Sequence, residues 1–328
     1  MSEMEKATEN VQETAQENVR ETVQENVNEP VKEAATEENA GKGGKKKKEK
    51  VKKSLGMEIL SWVLTLLVAV AAALVIRSVI FEPVRVDGHS MDDTLADREV
   101  MFVSKFDYSS TWFCFPWQSS EAKENAPRLT LFGNPKQFDV VICRYPGRGD
   151  TNFVKRVVGM PGDTVELREG YLYVNGEKYE EPYINDDYRT GPLNTLSEFR
   201  VPAKGDSFLY RDNGLWVNDR LWAYKGTNLT GTNEKGDKLE YDYDYESNKA
   251  VLRINGKDIT SEAELQSIEG VEYKLDRDYY FVMGDHRNNS NDSRSIGPID
   301  RSMIIGHVRQ VVFPFGQWRG VPNGLDVK

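Results

Sequence analysis

Ser90 in GHSMDDTL and Lys155 in NFVKRVVGMPGD are two residues whose types suit covalent hydrolysis. A serine hydroxyl is a weak nucleophile until a neighbouring base accepts its proton. A lysine amine, with an ordinary pKa of about 10.4, is protonated near neutrality and cannot serve as it stands. Burial against apolar side chains penalises the charged form and lowers that pKa. Val154, Val157 and Val158 surround Lys155 and fit such a setting; they fit a plain β-strand equally well, with Arg156 on the opposite face. The Ser90 backbone N–H is the first candidate donor to a tetrahedral oxyanion. A third segment, GDHRNNSNDSRSIGPID, follows the strand-like YYFVM and is dense in Gly, Asn, Asp and Ser, as a cluster of tight polar turns requires.

A Ser-His-Asp arrangement is the rival chemistry, with His89, His286 or His307 as base. His89 is adjacent to Ser90, and strand neighbours point to opposite faces, which disfavours it. His307 reads as an ordinary strand histidine. The three histidines are too few and too scattered for a zinc site, and NNSNDSR lacks the spacing of a calcium loop. No metal and no cofactor is expected. Cys114 and Cys143 make no disulfide framework, and whether they pair stays open.

The elements that position these residues begin with an apolar segment, Ile59 to Ile76, inside MEILSWVLTLLVAVAAALVIRSVIF. About twenty such residues cross roughly 30 Å of hydrocarbon. Trp62 and Arg77 suit its two interfaces. The lysines of GKGGKKKKEKVKK precede it, so the positive-inside rule puts the N-terminus in the cytoplasm and the remainder outside. Those lysines also favour anionic lipid heads. A cleaved signal peptide is the competing reading of the same segment, but its apolar core and preceding tail are too long for one. Ser90 lies 14 residues beyond Ile76, so the site stays close to the bilayer.

Residues 1 to about 41 carry an acidic eight-residue repeat (ENVQETAQ, ENVRETVQ, ENVNEPVK) whose apolar positions recur every four residues and drift around a helix. It buries no stripe and reads as disordered or weakly helical, with a partner-binding helix as the alternative. Net charge is −10 over 328 residues, unevenly spread, with no general nucleic-acid signature. A mean hydropathy of −0.61 excludes a polytopic membrane protein. From Glu82 onward, short runs rich in Val, Tyr and Phe alternate with Gly, Asn and Asp, predicting a mainly β fold. Val174-Asn175-Gly176 and Ile254-Asn255-Gly256 predict hairpin turns, and SEAELQSI predicts a short helix capped by Ser261 and Glu264. The division expected is residues 1–53 as tail and basic run, 54–80 as transmembrane helix, 81–170 with 280–328 as the all-β catalytic domain, and 171–279 as a β-rich insert. A second insert, Tyr108 to Lys136, holds WFCFPW, which suits either a lipid interface or a packed subcluster.

GHSMDDTL, NFVKRVVGMPGDTVEL and GDHRNNSNDSRSIGPID, in that order after an apolar anchor running into FEPVRV, resemble the bacterial type I signal peptidases, membrane-anchored Ser/Lys endopeptidases. The resemblance covers most of Gly56 to Phe315 and implies removal of signal sequences from exported preproteins at the outer face of the cytoplasmic membrane. It implies Ser90 as nucleophile, Lys155 as general base and Ser290 as a serine that orients the lysine. It implies Asp292 and Arg294 as a bracing ion pair, with Gly284, Asp285 and Arg287 as structural parts of the same motif. Some relatives supply an oxyanion hydroxyl where this chain has Gly88, which leaves the second donor open, with a backbone N–H as one candidate. Val86, Met91, Leu95 and Val154 are implied as lining the pocket for the small residue next to the cut in Ala-X-Ala sequences, and a monomer is implied. The chain departs from the pattern at Asp93, where a proline is usual, and at His286, where an asparagine is usual. A catalytically inactive, membrane-anchored β-rich adaptor is the alternative class. A self-cleaving repressor with a similar core is a third, but it requires a DNA-binding helical domain where this chain has a low-complexity tail and a span.

Overall fold

The computed structural model of the protein describes residues 55–324 apart from 109, 112–127, 130–132, 149–150 and 245–247. The acidic repeat, the basic run, WFCFPW and Cys114 lie outside those residues.

Helix α1 (Leu55–Val75) follows from a largely apolar segment that ends in an unbroken run of Leu, Val and Ala over Leu66–Val75, and none of its residues is buried. An 18-residue window has mean hydropathy 2.3, long and apolar enough to cross a membrane. Its one threonine returns its hydroxyl to Ser61 O at 2.8 Å, so that polar group is satisfied within the helix. A π-turn, Ile76–Ile80, carries the chain to Phe81, whose φ of −136° begins an extended strand.

The chain then enters a sheet whose strands are β1 (Phe81–Arg85), β2 (Val100–Ser104), β3 (Val140–Cys143), β4 (Phe153–Gly159), β5 (Tyr279–Met283) and β6 (Ile304–Phe313). Their spatial order is β1-β2-β6-β3-β4-β5, all neighbours antiparallel, with two-residue strands extending it at Ile299–Asp300 and Arg319–Gly320. The last two principal strands in the chain thus enter the sheet beside strands laid down more than a hundred residues earlier. The register sets Val141 of β3 opposite Lys155 of β4, and Val282 of β5 opposite Val157. Strands β3 and β5 are buried along their whole length, as continuous apolar runs in a sheet covered on both faces should be.

Between β4 and β5 the chain builds two further sheets. One has four strands, with Thr164–Arg168 at its centre; the larger one has eight. Thr164–Arg168 forms a hairpin with Tyr171–Val174, so the change of sheet comes after Gly159, whereas the sequence division at 170/171 falls inside that hairpin. Both Asn-Gly turns have the two positive φ values that a tight primed turn requires: 54° and 81° at Asn175 and Gly176, 49° and 77° at Asn255 and Gly256. Helix α2 (Glu262–Ile268) carries the full capping box between Ser261 and Glu264. The fold is mainly β, with one apolar N-terminal helix. Three apolar clusters hold it, and the one beneath β1, β2 and β6 contains Val86, Met91 and Leu95, with Val154 packed against it.

Candidate active site

Ser90 sits on the turn between β1 and β2. Gly88 enters that turn at φ 107°, a conformation in which a side chain is strained, and its N–H is held by Asp97 Oδ1 at 3.0 Å. That bond, the largest cause, holds the Asp97 carboxyl below its ordinary range. The Gly88 amide is therefore occupied, and the part of Gly88 is conformational. Among the described residues the Ser90 N–H has no acceptor. Asp93 has φ 73°, a value the pyrrolidine ring of a proline cannot reach, so the departure at this position goes with a different local turn.

Lys155 lies on β4 and is 2 % exposed. Its Nζ is 2.7 Å from Ser90 Oγ and donates to Val154 O at 2.8 Å. Burial pulls the amine below the ordinary lysine value; Arg294 adds in the same direction, while Cys143, Asp292 and Asp285 oppose. Alternation along β4 turns the next side chain, Arg156, to the other face. There it meets Asp285 with two parallel bonds, Nε to Oδ1 at 3.0 Å and Nη2 to Oδ2 at 2.8 Å. Arg156 also donates to Phe138 O and Pro322 O and stacks 3.7 Å over the Tyr183 ring.

The turns after β5 carry the rest. Arg294 grips Asp292 through Nε (2.9 Å) and Nη2 (2.8 Å). Burial raises the Asp292 carboxyl, but this clamp and the Gly284 N–H at 3.0 Å outweigh it and hold the group below its usual range. Gly284 permits close approach: a Cβ there would lie 2.3 Å from Ser290 Oγ and 2.4 Å from Ser90 O. Arg287 is fully buried and donates to Glu181. Asp285 also accepts from Thr94 Oγ1 at 2.5 Å, tying the serine turn to the same network.

The expected orienting contact from Ser290 is not formed. Among the described residues its buried Oγ makes no hydrogen bond to the lysine and lies beside the Asp292 carboxylate, which it helps hold low, and the second contact of the lysine goes to its neighbour's carbonyl. Val86, Met91, Leu95 and Val154 come together in one cluster beside the serine turn; Leu95 is fully buried and Met91 nearly so, while Val154 is half-buried. Among the described residues no histidine reaches Ser90 Oγ. His307 is buried with Nδ1 3.2 Å from Asp107, and His89 pairs with Asp92. Cys143 is a free, fully buried thiol pushed up to about 12 by burial. Sequence reasoning missed Glu181, Tyr183, Tyr188 and Asn194, which the second sheet system brings to the polar turns; Asn194 Oδ1 accepts from Arg294 at 3.1 Å. For Glu181, Tyr183 and Tyr188 the only sequence signal is a cluster of acids and tyrosines in YEEPYINDDYR; Asn194 lies beyond it, in GPLN.

The family model described as "Signal peptidase, peptidase S26" matches residues 59–313. Signal peptidase I P of Bacillus subtilis subsp. natto is 29% identical over 273 residues, covering 83% of this chain and 97% of its own. Signal peptidase I S of Bacillus subtilis strain 168 is 28% identical over 262 residues, covering 80% and 92%. Signal peptidase IB of Staphylococcus aureus strain COL is 26% identical over 271 residues, covering 83% and 98%. The crystal structure of a signal peptidase I from Enterococcus faecalis V583 is 21% identical and covers 53% of this chain and 96% of its own, at a TM-score of 0.26, too low to equate the architectures. With a family model spanning most of its length, from within the apolar helix to the end of β6, the chain belongs to the signal peptidase family, peptidase S26.

Proposed function

We propose that the protein removes N-terminal signal peptides from exported preproteins by a Ser/Lys mechanism. The supporting observation is a lysine amine, 2 % exposed, 2.7 Å from a serine hydroxyl. In its neutral form that amine accepts the hydroxyl proton as Ser90 Oγ attacks the carbonyl carbon of the scissile peptide. The tetrahedral oxyanion points to the Ser90 N–H, which is free to donate. Collapse breaks the C–N bond, Lys155 returns the proton to the departing amine, and an acyl-serine remains. Water, deprotonated by the same amine, then releases the signal peptide and regenerates the serine.

Asp292–Arg294, Asp285–Arg156 and Arg287–Glu181 hold the turns that meet at the dyad, and Ser290 lines the same buried wall. Gly88 shapes the serine turn. Val86, Met91, Leu95 and Val154 form the apolar wall against which a small residue next to the cut is seated, favouring Ala-X-Ala sequences. An extended substrate adds beside Val84 to Gly88 and gains main-chain hydrogen bonds without demanding sequence. Helix α1 anchors the enzyme, with the lysine run toward the cytoplasm and anionic lipid and the β domain outside. It works as a monomer, without cofactor, metal or nucleic acid. Incubating the full chain in detergent with a preprotein ending its signal in Ala-X-Ala is the test. One cut after the second alanine is expected. An intact preprotein points to an adaptor, and shortening of the enzyme alone, without turnover, points to a self-cleaving protein.

A further inference from the structure

His286, which the proposed mechanism does not use, makes three contacts with the serine turn. Its N–H donates to Ser90 O at 3.1 Å. Its Nδ1 lies 2.9 Å from His89 O and 3.1 Å from Asp92 Oδ2. A carbonyl and a carboxylate oxygen only accept, so Nδ1 carries a hydrogen and shares it between them. Asp92 Oδ1 in turn lies 3.3 Å from His89 Nδ1. The far face of the imidazole is stacked on Tyr188, ring centres 3.7 Å apart and 18° from parallel.

The two backbone oxygens held by His286 are consecutive: His89 O precedes the Ser90 Cα and Ser90 O follows it. Fixing both peptide planes fixes φ and ψ at Ser90, and so the direction of the Cα–Cβ bond that carries its Oγ. In a trans peptide the N–H points opposite to the C=O of the same plane. Pinning His89 O therefore aims the Ser90 N–H the other way, out of the His286 contact, and that amide has no other acceptor among the described residues. Tyr188 belongs to a turn, Asp186–Arg189, in the inserted region, and that turn is anchored by Arg189 on Glu181. Asn288 reaches the same turn, donating to Asp187 O.

We propose that His286 is a positioning residue that sets the nucleophile and the oxyanion-binding amide of Ser90 together, with Tyr188 of the insert clamping its ring. This rests on the Ser/Lys reading of the site. A misplacement of about 1 Å costs on the order of 10²-fold in rate.

The test is steady-state cleavage of one preprotein by the full chain, with Ser90→Ala alongside. His286→Phe keeps a stacking ring and removes the Nδ1–H; kcat is expected to fall about 10²-fold with KM within about twofold, because the interaction acts on the transition state. His286→Asn returns an N–H at the same covalent distance and is expected to recover most of the loss. Tyr188→Leu should lower kcat by less than His286→Phe. Hydrogen exchange across residues 86–95 supplies a readout independent of turnover: His286→Phe is expected to exchange faster there and Ser90→Ala to match the parent. If the parent fails to cleave, or Ser90→Ala cleaves, the Ser/Lys reading fails while the exchange result still judges the clamp. Parental kcat and exchange in His286→Phe overturn the proposal. So does a loss that Asn does not recover, accompanied by a lowered unfolding temperature.

Discussion

Ser90→Ala and Lys155→Ala should each lower kcat for preprotein cleavage by about 10⁴- to 10⁶-fold, and the double variant should be no slower than either single one. The reason is cooperative. Without the amine, the hydroxyl at 2.7 Å keeps its proton; without the hydroxyl, the amine has nothing to activate. Lys155→Arg should be equally inactive, because a guanidinium does not deprotonate in the range where the protein is folded. The same variants should remain folded, since β4 keeps its register with β3 through backbone bonds that no side chain supplies. Parental turnover by any of them, measured with preprotein in detergent, would contradict the roles given to the pair. Additive losses in the double variant would contradict their acting as a unit.

The second large effect is on stability. Arg156 and Asp285 are 0% and 1% exposed, joined by two parallel bonds. Asp285→Ala leaves a buried guanidinium with Nε and Nη2 unpaired and deprives Thr94 Oγ1 of its acceptor. Breaking one side of a buried pair costs about 3–5 kcal/mol, which lowers Tm by an amount of order 10 °C for a domain of this size. Arg156→Met with Asp285→Leu removes both charges and should recover part of that loss, since apolar replacement of a whole buried pair is often close to neutral. Thermal unfolding of the parent and the two variants separates the outcomes. A loss below about 1 kcal/mol in Asp285→Ala would mean the pair is open to water. Activity should fall as well, because Asp285 sits between Gly284 and His286, whose close approach to Ser90 O shapes the serine turn.

Much of the positioning was legible because it is local. The apolar run gives α1, the Asn-Gly steps give primed turns, and Ser261 with Glu264 gives a capping box, each within a few residues. Alternation along β4 was enough to separate Lys155 from Arg156 and send them to opposite faces. The braces were not legible. Glu181 meets Arg287 across 106 residues, Asn194 meets Arg294 across 100, and Tyr188 finds His286 only because the chain leaves the first sheet after β4 and rejoins it at β5. No period or spacing encodes such pairs. The family pattern expected Ser290 to hold the lysine, whereas Lys155 turns instead to Val154 O. The pattern names residue types at positions, and which donor meets which acceptor is settled by packing.

In the mechanism proposed for this protein a neutral lysine, and no histidine, takes the serine proton. Burial disfavours the ammonium form of Lys155 and places its pKa below the ordinary 10.5. In the proposed mechanism the deprotonated amine is the active form, so kcat/KM should rise as pH passes through that lowered pKa and level off above it. The direct measurement is kcat/KM against pH for the parent and for Lys155→Ala in detergent. A rising limb centred between the histidine and ordinary lysine ranges, with no measurable turnover in the variant, is the predicted result. A limb centred near about 6.5, the unperturbed histidine value, surviving in Lys155→Ala, would contradict it.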